Sequence, residues 1–288
     1  MKSTRRKFKR IAKLSISLTY YVYSRAREAI RRLAKGTSPP ACVVLYYHSV
    51  ATEHRARFAA QMDALKRLAT PIPAGNENPL RPGQHYAAVT FDDGFTSVGE
   101  NAVPELVQRQ IPATIFVVSD VLGAIPNWDA MGQEECVSGM LMSLEQLQEL
   151  PSEFITIGSH SLSHPFLPSV TDEQATLEIS ESKKKLSGML AREITLFSFP
   201  YGAFNQRLLD ICRATGYRRV FTILPRLAFR SPQEFATGRV AADPTDWPLE
   251  FRLKLLGAYQ WLPYGFSAKR KIASWAGACR GAVGRLAI

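Results

Sequence analysis

The chain has 288 residues, 46% of them hydrophobic and 21% charged, with a formal net charge of +11 at pH 7. Such a length and composition suit one globular core of barrel size with short appendages. The four cysteines (Cys42, Cys136, Cys212 and Cys279) are too widely spaced for a disulfide scaffold or a zinc ribbon, which argues for a reducing compartment, with Cys42 and Cys212 as buried strand and helix residues.

Residues 1–35 hold twelve Lys or Arg against Glu28 alone, a net charge equal to that of the whole chain. A helical wheel puts Phe8, Ile11, Leu18, Val22, Ala29 and Leu33 on one face and Lys9, Lys13, Arg27 and Arg31 opposite. Tyr21 falls toward a flank and Tyr20 on the basic side. This pattern suits a helix lying in an anionic membrane interface. A basic helix packed on the globular core, with its charged face solvated, is the other reading.

The most apolar stretch, Leu14 to Tyr23, is short, carries Ser, Thr and Tyr, and is bracketed by Lys13 and Arg25. It lacks a clean small-residue cleavage site and is shorter than the ~20 residues that span a bilayer. The expectation is a cytoplasmic protein, peripheral on the inner face of the membrane, with an uncleaved or degenerate export signal as the alternative. Residues 263–288 read as a second basic segment, with Lys269, Arg270 and Lys271 beside Ile272, Trp275 and Ala276. The part between, a catalytic unit over 36–262, is mildly acidic. No recognised nucleic-acid module is present, so nucleic acid is not an expected partner.

Apolar, β-branched runs near 41–47, 86–91, 113–118, 154–158, 195–199 and 218–223 predict strands. Helical patterns lie between most of them: Phe58-Met62-Leu65, Val98 to Val107, Leu144 to Leu150, Ala175 to Leu190 and Leu208 to Ala214. Alternation of this kind predicts an α/β fold with a largely parallel sheet. The link from Ser119 to Met142, with Gly123, Pro126, Trp128 and Gly132, is long enough to form a wall of a substrate groove.

Three of these runs end in chemistry. Val89-Thr90-Phe91-Asp92-Asp93-Gly94-Phe95 places two carboxylates at a strand's C-terminal edge, with Gly94 to turn the backbone. Adjacent carboxylates aimed at one site repel unless a cation lies between them or one takes a proton; a turn-capping Asp pair is the alternative. Gly158-Ser159-His160-Ser161-Leu162-Ser163-His164-Pro165 follows another apolar run, and the two histidines have a spacing that lets both imidazoles reach one metal. Gly158 and Pro165 favour a loop there over a helix. Phe199-Pro200-Tyr201-Gly202 ends a third run in a tight turn. One carboxylate and two imidazoles with open positions describe a catalytic metal site. A fourth run, Val43 to Tyr47, ends in His48, whose role is either structural or catalytic.

These segments resemble, in order and separation, the first three motifs of the polysaccharide deacetylase (NodB-homology) family, over roughly residues 41–245. The resemblance implies a distorted (β/α) barrel with fewer than eight strands, here with basic N- and C-terminal helical extensions. It also implies a divalent metal, usually zinc, held by Asp93, His160 and His164, with Asp92 as the general base. The segment ending in His48 resembles the N-terminal motif of the poly-N-acetylglucosamine deacetylase branch, where such a histidine is the general acid. Ser198 stands where the commoner third motif has arginine, which agrees with that branch.

The implied reaction is removal of N-acetyl groups from amino sugars of a polysaccharide or lipid-linked glycan at a membrane surface. In it the backbone N–H of Tyr201 stabilises the oxyanion. A deformylase of a lipid-linked amino sugar and an inert carbohydrate-binding relative are the alternatives. Arg239 either orients the acids or lies on the surface. In Asp243-Pro244-Thr245-Asp246-Trp247, Asp246 is expected to N-cap a helix begun by Pro248 rather than to serve as a fourth motif. His54 and His85, in polar sequence, are expected to be solvated.

Overall fold

Each of the six expected strands forms, because Val, Ile, Leu, Phe and Ala runs bounded by Asp, Gly or Pro are buried on both faces of a parallel sheet. The structure, a computed structural model, describes residues 2–128, 139–231 and 233–264. Gly132, Cys136, Cys279 and the basic tail with Lys269, Arg270, Lys271, Ile272, Trp275 and Ala276 lie outside the described residues.

In chain order the strands are β1 (Ala41–Tyr47), β2 (Thr70–Pro71), β3 (His85–Phe91), β4 (Ala113–Val117), β5 (Ile155–Ser159), β6 (Leu196–Ser198), β7 (Arg219–Thr222), β8 (Ala236–Gly238) and β9 (Val240–Ala241). The sheet runs β8-β7-β6-β5-β4-β3-β1-β9, with β2 added beside β3, and each pairing is parallel. The last two strands are one short stretch broken at Arg239. Its first half pairs with β7 (Thr222 opposite Gly238) and its second with β1 (Leu45 opposite Val240). The chain thus closes the sheet into a barrel with seven positions around the ring among the described residues. Neither β2 nor the β8–β9 stretch was expected from the sequence, since both are too short to show a period.

Side chains alternate as the pleat requires. Val43, Leu45 and Tyr47 face the surrounding helices, whereas Cys42 and Val44 face the barrel interior with Ala88, Phe116, Leu196 and Phe221. Gly158 lies inside β5, not in the loop after it. A Cβ there would stand 2.5 Å from the Phe116 ring, so only glycine lets that ring fill the interior.

The helices are α1 (Lys2–Lys35), α2 (Arg55–Leu68), α3 (Val103–Gln108), α4 (Leu144–Gln148), α5 (Asp172–Leu190), α6 (Gln206–Ala214) and α7 (Pro248–Leu255). The N-cap of α7 is Trp247, not Asp246. The Asp246 side chain, only 6% exposed, instead accepts two 2.7 Å hydrogen bonds from Lys254, eight residues on. His85 is likewise not solvated: it opens β3, and its Nε2 lies 2.7 Å from the carbonyl oxygen of Leu255. His54 is half-buried in a single 3-10 turn.

Helix α1 uses one face to dock and turns another outward. Arg10 donates to Glu250 at 2.6 Å and to the carbonyl of Thr245 at 2.9 Å, and its guanidinium lies 4.4 Å from the centre of the Trp247 ring. Ser17 is fully buried and accepts a 2.9 Å bond from the Trp261 indole N–H, while Leu14 and Tyr21 pack on the core. Positions 10, 14, 17 and 21 make one helical stripe. The stripe of Phe8 (73% exposed), Ile11, Leu18, Val22 and Leu33 (89% exposed) points away from the barrel. Among the described residues no helix is long and apolar enough to cross a membrane.

Candidate active site and metal centre

All the residues singled out at strand ends meet at one end of the barrel, beyond the C-terminal edges of the parallel strands. The backbone there is unusual. Asp93, Ser161, His164 and Tyr201, none of them glycine, have φ of 70°, 70°, 65° and 58°. Left-handed backbone at four side-chain-bearing residues of one site is conformational strain retained where the surroundings fix it.

The Asp-Asp-Gly turn shows how this works. Asp92 continues the inward parity of Ala88 and Thr90, and its N–H donates to the Tyr47 carbonyl at 2.9 Å, extending the β3–β1 ladder. At Asp93 the chain reverses, and the Gly94 N–H donates back to the Asp92 carbonyl at 2.9 Å. The reversal brings both carboxylates inward, where a regular strand would have parted them. Gly94 has φ +83°, and a Cβ there would meet a Val117 methyl at 2.8 Å. Glycine is therefore required on two counts.

His160 and His164 project from the loop after β5. His160 N–H donates to Val117 across the strand ends, and His164 N–H donates to the Ser161 hydroxyl at 3.0 Å. Buried Glu178 on α5 anchors this loop by accepting the N–H groups of Leu162 and Ser163, both at 3.0 Å, and the Ser163 hydroxyl at 2.6 Å. Sequence reading missed Glu178. Its signal was present: with Ala175, Ile179, Ser182 and Leu186 it falls on the inward face of α5, where a lone carboxylate must have a partner.

Nε2 of each histidine lies 3.5 Å from Asp93 Oδ1, and the three donor atoms lie within 4.8 Å of one another. His160 Nδ1 is 2.7 Å from the Ser198 carbonyl, so Nδ1 carries the proton and the Nε2 lone pair faces the centre. Burial, then the neighbouring His160, lowers the pKa of His164 to about 2, so its imidazole is neutral and its lone pair available. Burial, reinforced by the charge of Asp92 and opposed by His48 and His160, raises that of Asp93. Two imidazole Nε2 atoms and one buried carboxylate converging on one point form a donor set that a divalent ion satisfies. His164 Nδ1 is buried and unbonded, so the second imidazole lacks the outer partner that the first one has.

Arg239 decides the state of the second carboxylate. It is fully buried, 0% exposed, at the break between β8 and β9. Its Nη1 and Nη2 donate to the two oxygens of Asp92 at 2.7 and 2.8 Å, and further bonds reach Thr90 Oγ1 at 3.1 Å and Ser198 Oγ at 2.7 Å. The surface alternative for Arg239 is thereby excluded. Burial opposes ionisation of Asp92, but the charge of Arg239, with smaller help from His160, outweighs it and holds the carboxyl at about 2.

His48, half-buried, lies just past β1, its ring edge-on to Tyr46 at 5.8 Å, near enough that in its protonated form it favours ionised Asp92 and Asp93. Aromatic rings cover the histidine side. Trp128 stacks on His164 at 4.5 Å, Tyr201 meets the same imidazole edge-on at 4.6 Å, and Phe166 lies 6.2 Å from Tyr201. The 119–142 link is pinned at both ends: Ser119 and Asp120 N–H donate to Ser161 and Leu162 of the histidine loop, while Met142 N–H donates to Gly94 and Thr96 N–H to Met140 beside the Asp-Asp-Gly turn. Asp243 and Asp246 take no part in the site; Asp243 caps its own turn through Thr245.

Residues 80–220 match the family model for polysaccharide deacetylase. The chain carries a polysaccharide deacetylase domain. It is 28% identical over 221 residues to the Bacillus subtilis polysaccharide deacetylase homologue YxkH, covering 73% of this chain and 74% of that one. It is 20% identical over 154 residues to the poly-beta-1,6-N-acetyl-D-glucosamine N-deacetylase of Staphylococcus aureus, and spans about half the length of that relative (52%). The structure of IcaB from Ammonifex degensii shares the deacetylase fold, with TM-score 0.62, 24% identity, and coverage of 77% of this chain and 98% of that one.

Proposed function

We propose that this deacetylase domain is a metal-dependent carbohydrate de-N-acetylase, removing N-acetyl groups from amino sugars of a polysaccharide or lipid-linked glycan at a membrane surface. The observation that carries this reading is the buried Asp93–His160–His164 donor set beside an ionised, arginine-held Asp92.

A divalent ion in that set, with zinc suited to its one carboxylate and two imidazoles, supplies Lewis acidity toward an amide carbonyl and acidifies the attacking water. The remaining work falls to the chain. Asp92, kept ionised and oriented by Arg239, takes a proton from the water as it adds to the amide carbon. The Tyr201 N–H is assigned to the oxygen on which negative charge then develops. His48 gives its proton to the nitrogen as the carbon–nitrogen bond breaks, releasing acetate and a free amino sugar. Trp128, Phe166 and Tyr201 offer ring faces for the apolar side of a pyranose.

Membrane association rests on α1. Its apolar stripe faces away from the barrel, and Lys9, Lys13, Arg27 and Arg31 lie on the opposite side of the helix, an apolar–cationic division that suits a helix at the headgroup boundary.

The deciding experiment incubates metal-loaded protein with N-acetylated and N-formylated amino-sugar glycans, lipid-linked and free, and identifies the acid released. Acetate is expected. Formate instead would move the reading to a deformylase, and no acid from any substrate would leave a carbohydrate-binding relative.

A further inference from the structure

Between α1 and the barrel lies a groove of about 490 Å³ whose charge is almost entirely of one sign. Arg25, Arg27, Arg31 and Arg32 of α1 and Arg252 of α7 line it, against a single carboxylate, Glu28. Glu28 is already shared by Arg25 at 2.6 Å and Arg32 at 2.9 Å. Arg27, Arg31 and Arg252 have no carboxylate partner among the described residues.

Arg27 and Arg31 are one helical turn apart, so their guanidinium groups project from one side of α1. Arg252 belongs to a different element, fixed to α1 by the Arg10–Glu250 pair. Three guanidinium groups from two docked elements, lining one recess without a carboxylate of their own, repel one another unless an anion enters. Guanidinium forks match phosphate oxygens in geometry and charge. Exposed arginines on one helix alone would carry no such meaning, but the third comes from across the groove.

The surroundings say where the phosphate comes from. Tyr23 and Ile30 are exposed and lie on α1 between the Arg27–Arg31 row and the outward apolar stripe of Val22 and Leu33. Apolar, then aromatic, then cationic is the order of chemistry met on crossing from acyl chains to headgroups.

We propose that this groove binds the phosphate headgroup of a membrane lipid, with Arg27, Arg31 and Arg252 as its ligands and the adjoining stripe against the acyl region. The site rests on the membrane reading of α1 and adds to it a defined headgroup contact. General attraction to an anionic surface depends on the number of cations, whereas a built site depends on which cations are removed.

The test compares two double variants of equal charge, Arg27→Gln with Arg252→Gln and Lys9→Gln with Lys13→Gln, each checked for an unchanged melting temperature. Binding is measured to phosphatidylcholine vesicles carrying phosphatidic acid or, at matched surface charge, phosphatidylserine. The wild-type chain should prefer phosphatidic acid. The groove variant should lose on the order of tenfold more affinity for it than the Lys9/Lys13 variant, and lose the preference as well. Glycerol 3-phosphate should compete for phosphatidic acid vesicles only. Equal losses without headgroup preference would overturn the site and leave the membrane reading standing, whereas failure of the wild type to bind any vesicle would sink both. Glycerol 3-phosphate bound through Arg27 and Arg252 by a chain that ignores vesicles would assign the groove to a soluble phosphate and overturn the lipid.

Discussion

Arg239 holds both carboxylate oxygens of Asp92, at 2.7 and 2.8 Å, from a position 147 residues away in the sequence. The pair is buried on both sides. Removing one partner leaves the other charged in a low-dielectric site, which costs about 3–5 kcal/mol. Arg239→Met is therefore expected to lower the stability of the metal-free protein by that order in urea denaturation. A loss under about 1 kcal/mol would mean that water or another cation replaces the guanidinium.

The same pair sets an acid limit. The Asp92 carboxyl sits at about 2 when folded, against 3.8 for an unperturbed aspartate. A depressed pKa contributes stability that is complete above the unfolded value and is lost as pH falls through the folded one. The contribution at neutral pH is about 2–3 kcal/mol. The metal-free wild type should lose it between about pH 4 and 2, and Arg239→Met should show a flatter profile there. Parallel profiles for the two proteins would assign acid unfolding to other carboxylates.

Metal and base are assigned to adjacent aspartates, so their variants should separate. Asp93→Asn and His164→Ala are expected to lose metal by elemental analysis, and Asp92→Asn to retain it while losing turnover. Stripping the wild type with a chelator should abolish acetate release, and zinc should restore it. Full turnover by a sample shown to be metal-free would refute the mechanism.

For His48→Ala the expected fall in kcat is ~10²–10⁴-fold, the usual worth of a proton donor to a leaving group. Because protonation of the amine is at issue, an analogue with a more acidic leaving nitrogen should suffer less. A uniform, small decrease on both substrates would return His48 to a packing role against Tyr46.

The outward stripe of α1 gives a prediction independent of catalysis. Phe8→Ser with Val22→Ser should release the protein from anionic vesicles in sedimentation, yet leave hydrolysis of a small soluble substrate unchanged. Both residues are exposed and neither touches the site. Deleting residues 1–35 is a poorer probe, because it also removes the Arg10–Glu250 and Ser17–Trp261 contacts and the packing of Leu14 and Tyr21 on the core, and should destabilise the barrel. Undiminished sedimentation of the serine variant would place the anchor elsewhere.

Much of the site was legible because its parts are local. A strand's apolar run, the glycine that ends it and the carboxylates between them are contiguous, so Asp92, Asp93 and Gly94 could be placed without a fold. His160 and His164 are close enough in sequence to suggest one ligand loop. Glu178 was not legible in the same way: its partners are the backbone N–H groups of Leu162 and Ser163, and backbone leaves no trace in a residue pattern. Asp246 misled for a related reason. Aspartate before Pro248 suits a cap, but Lys254 and Arg10 offer stronger partners once α1 and α7 are docked.

Strand and helix order, the parallel α/β class, the three chemistry-bearing strand ends and the amphipathic character of the first helix are all readable from the residues alone. These follow from period, turn residues and composition, which act over a few residues. Two features emerge only from the folded chain: the barrel closes at Arg239, which thereby reaches Asp92, and α1 docks through Arg10, Leu14, Ser17 and Tyr21 while its apolar stripe stays outside. Both depend on contacts between segments more than a hundred residues apart. Such contacts form only where the ends of a twisted sheet meet, and a buried charge there takes whichever partner the closure brings.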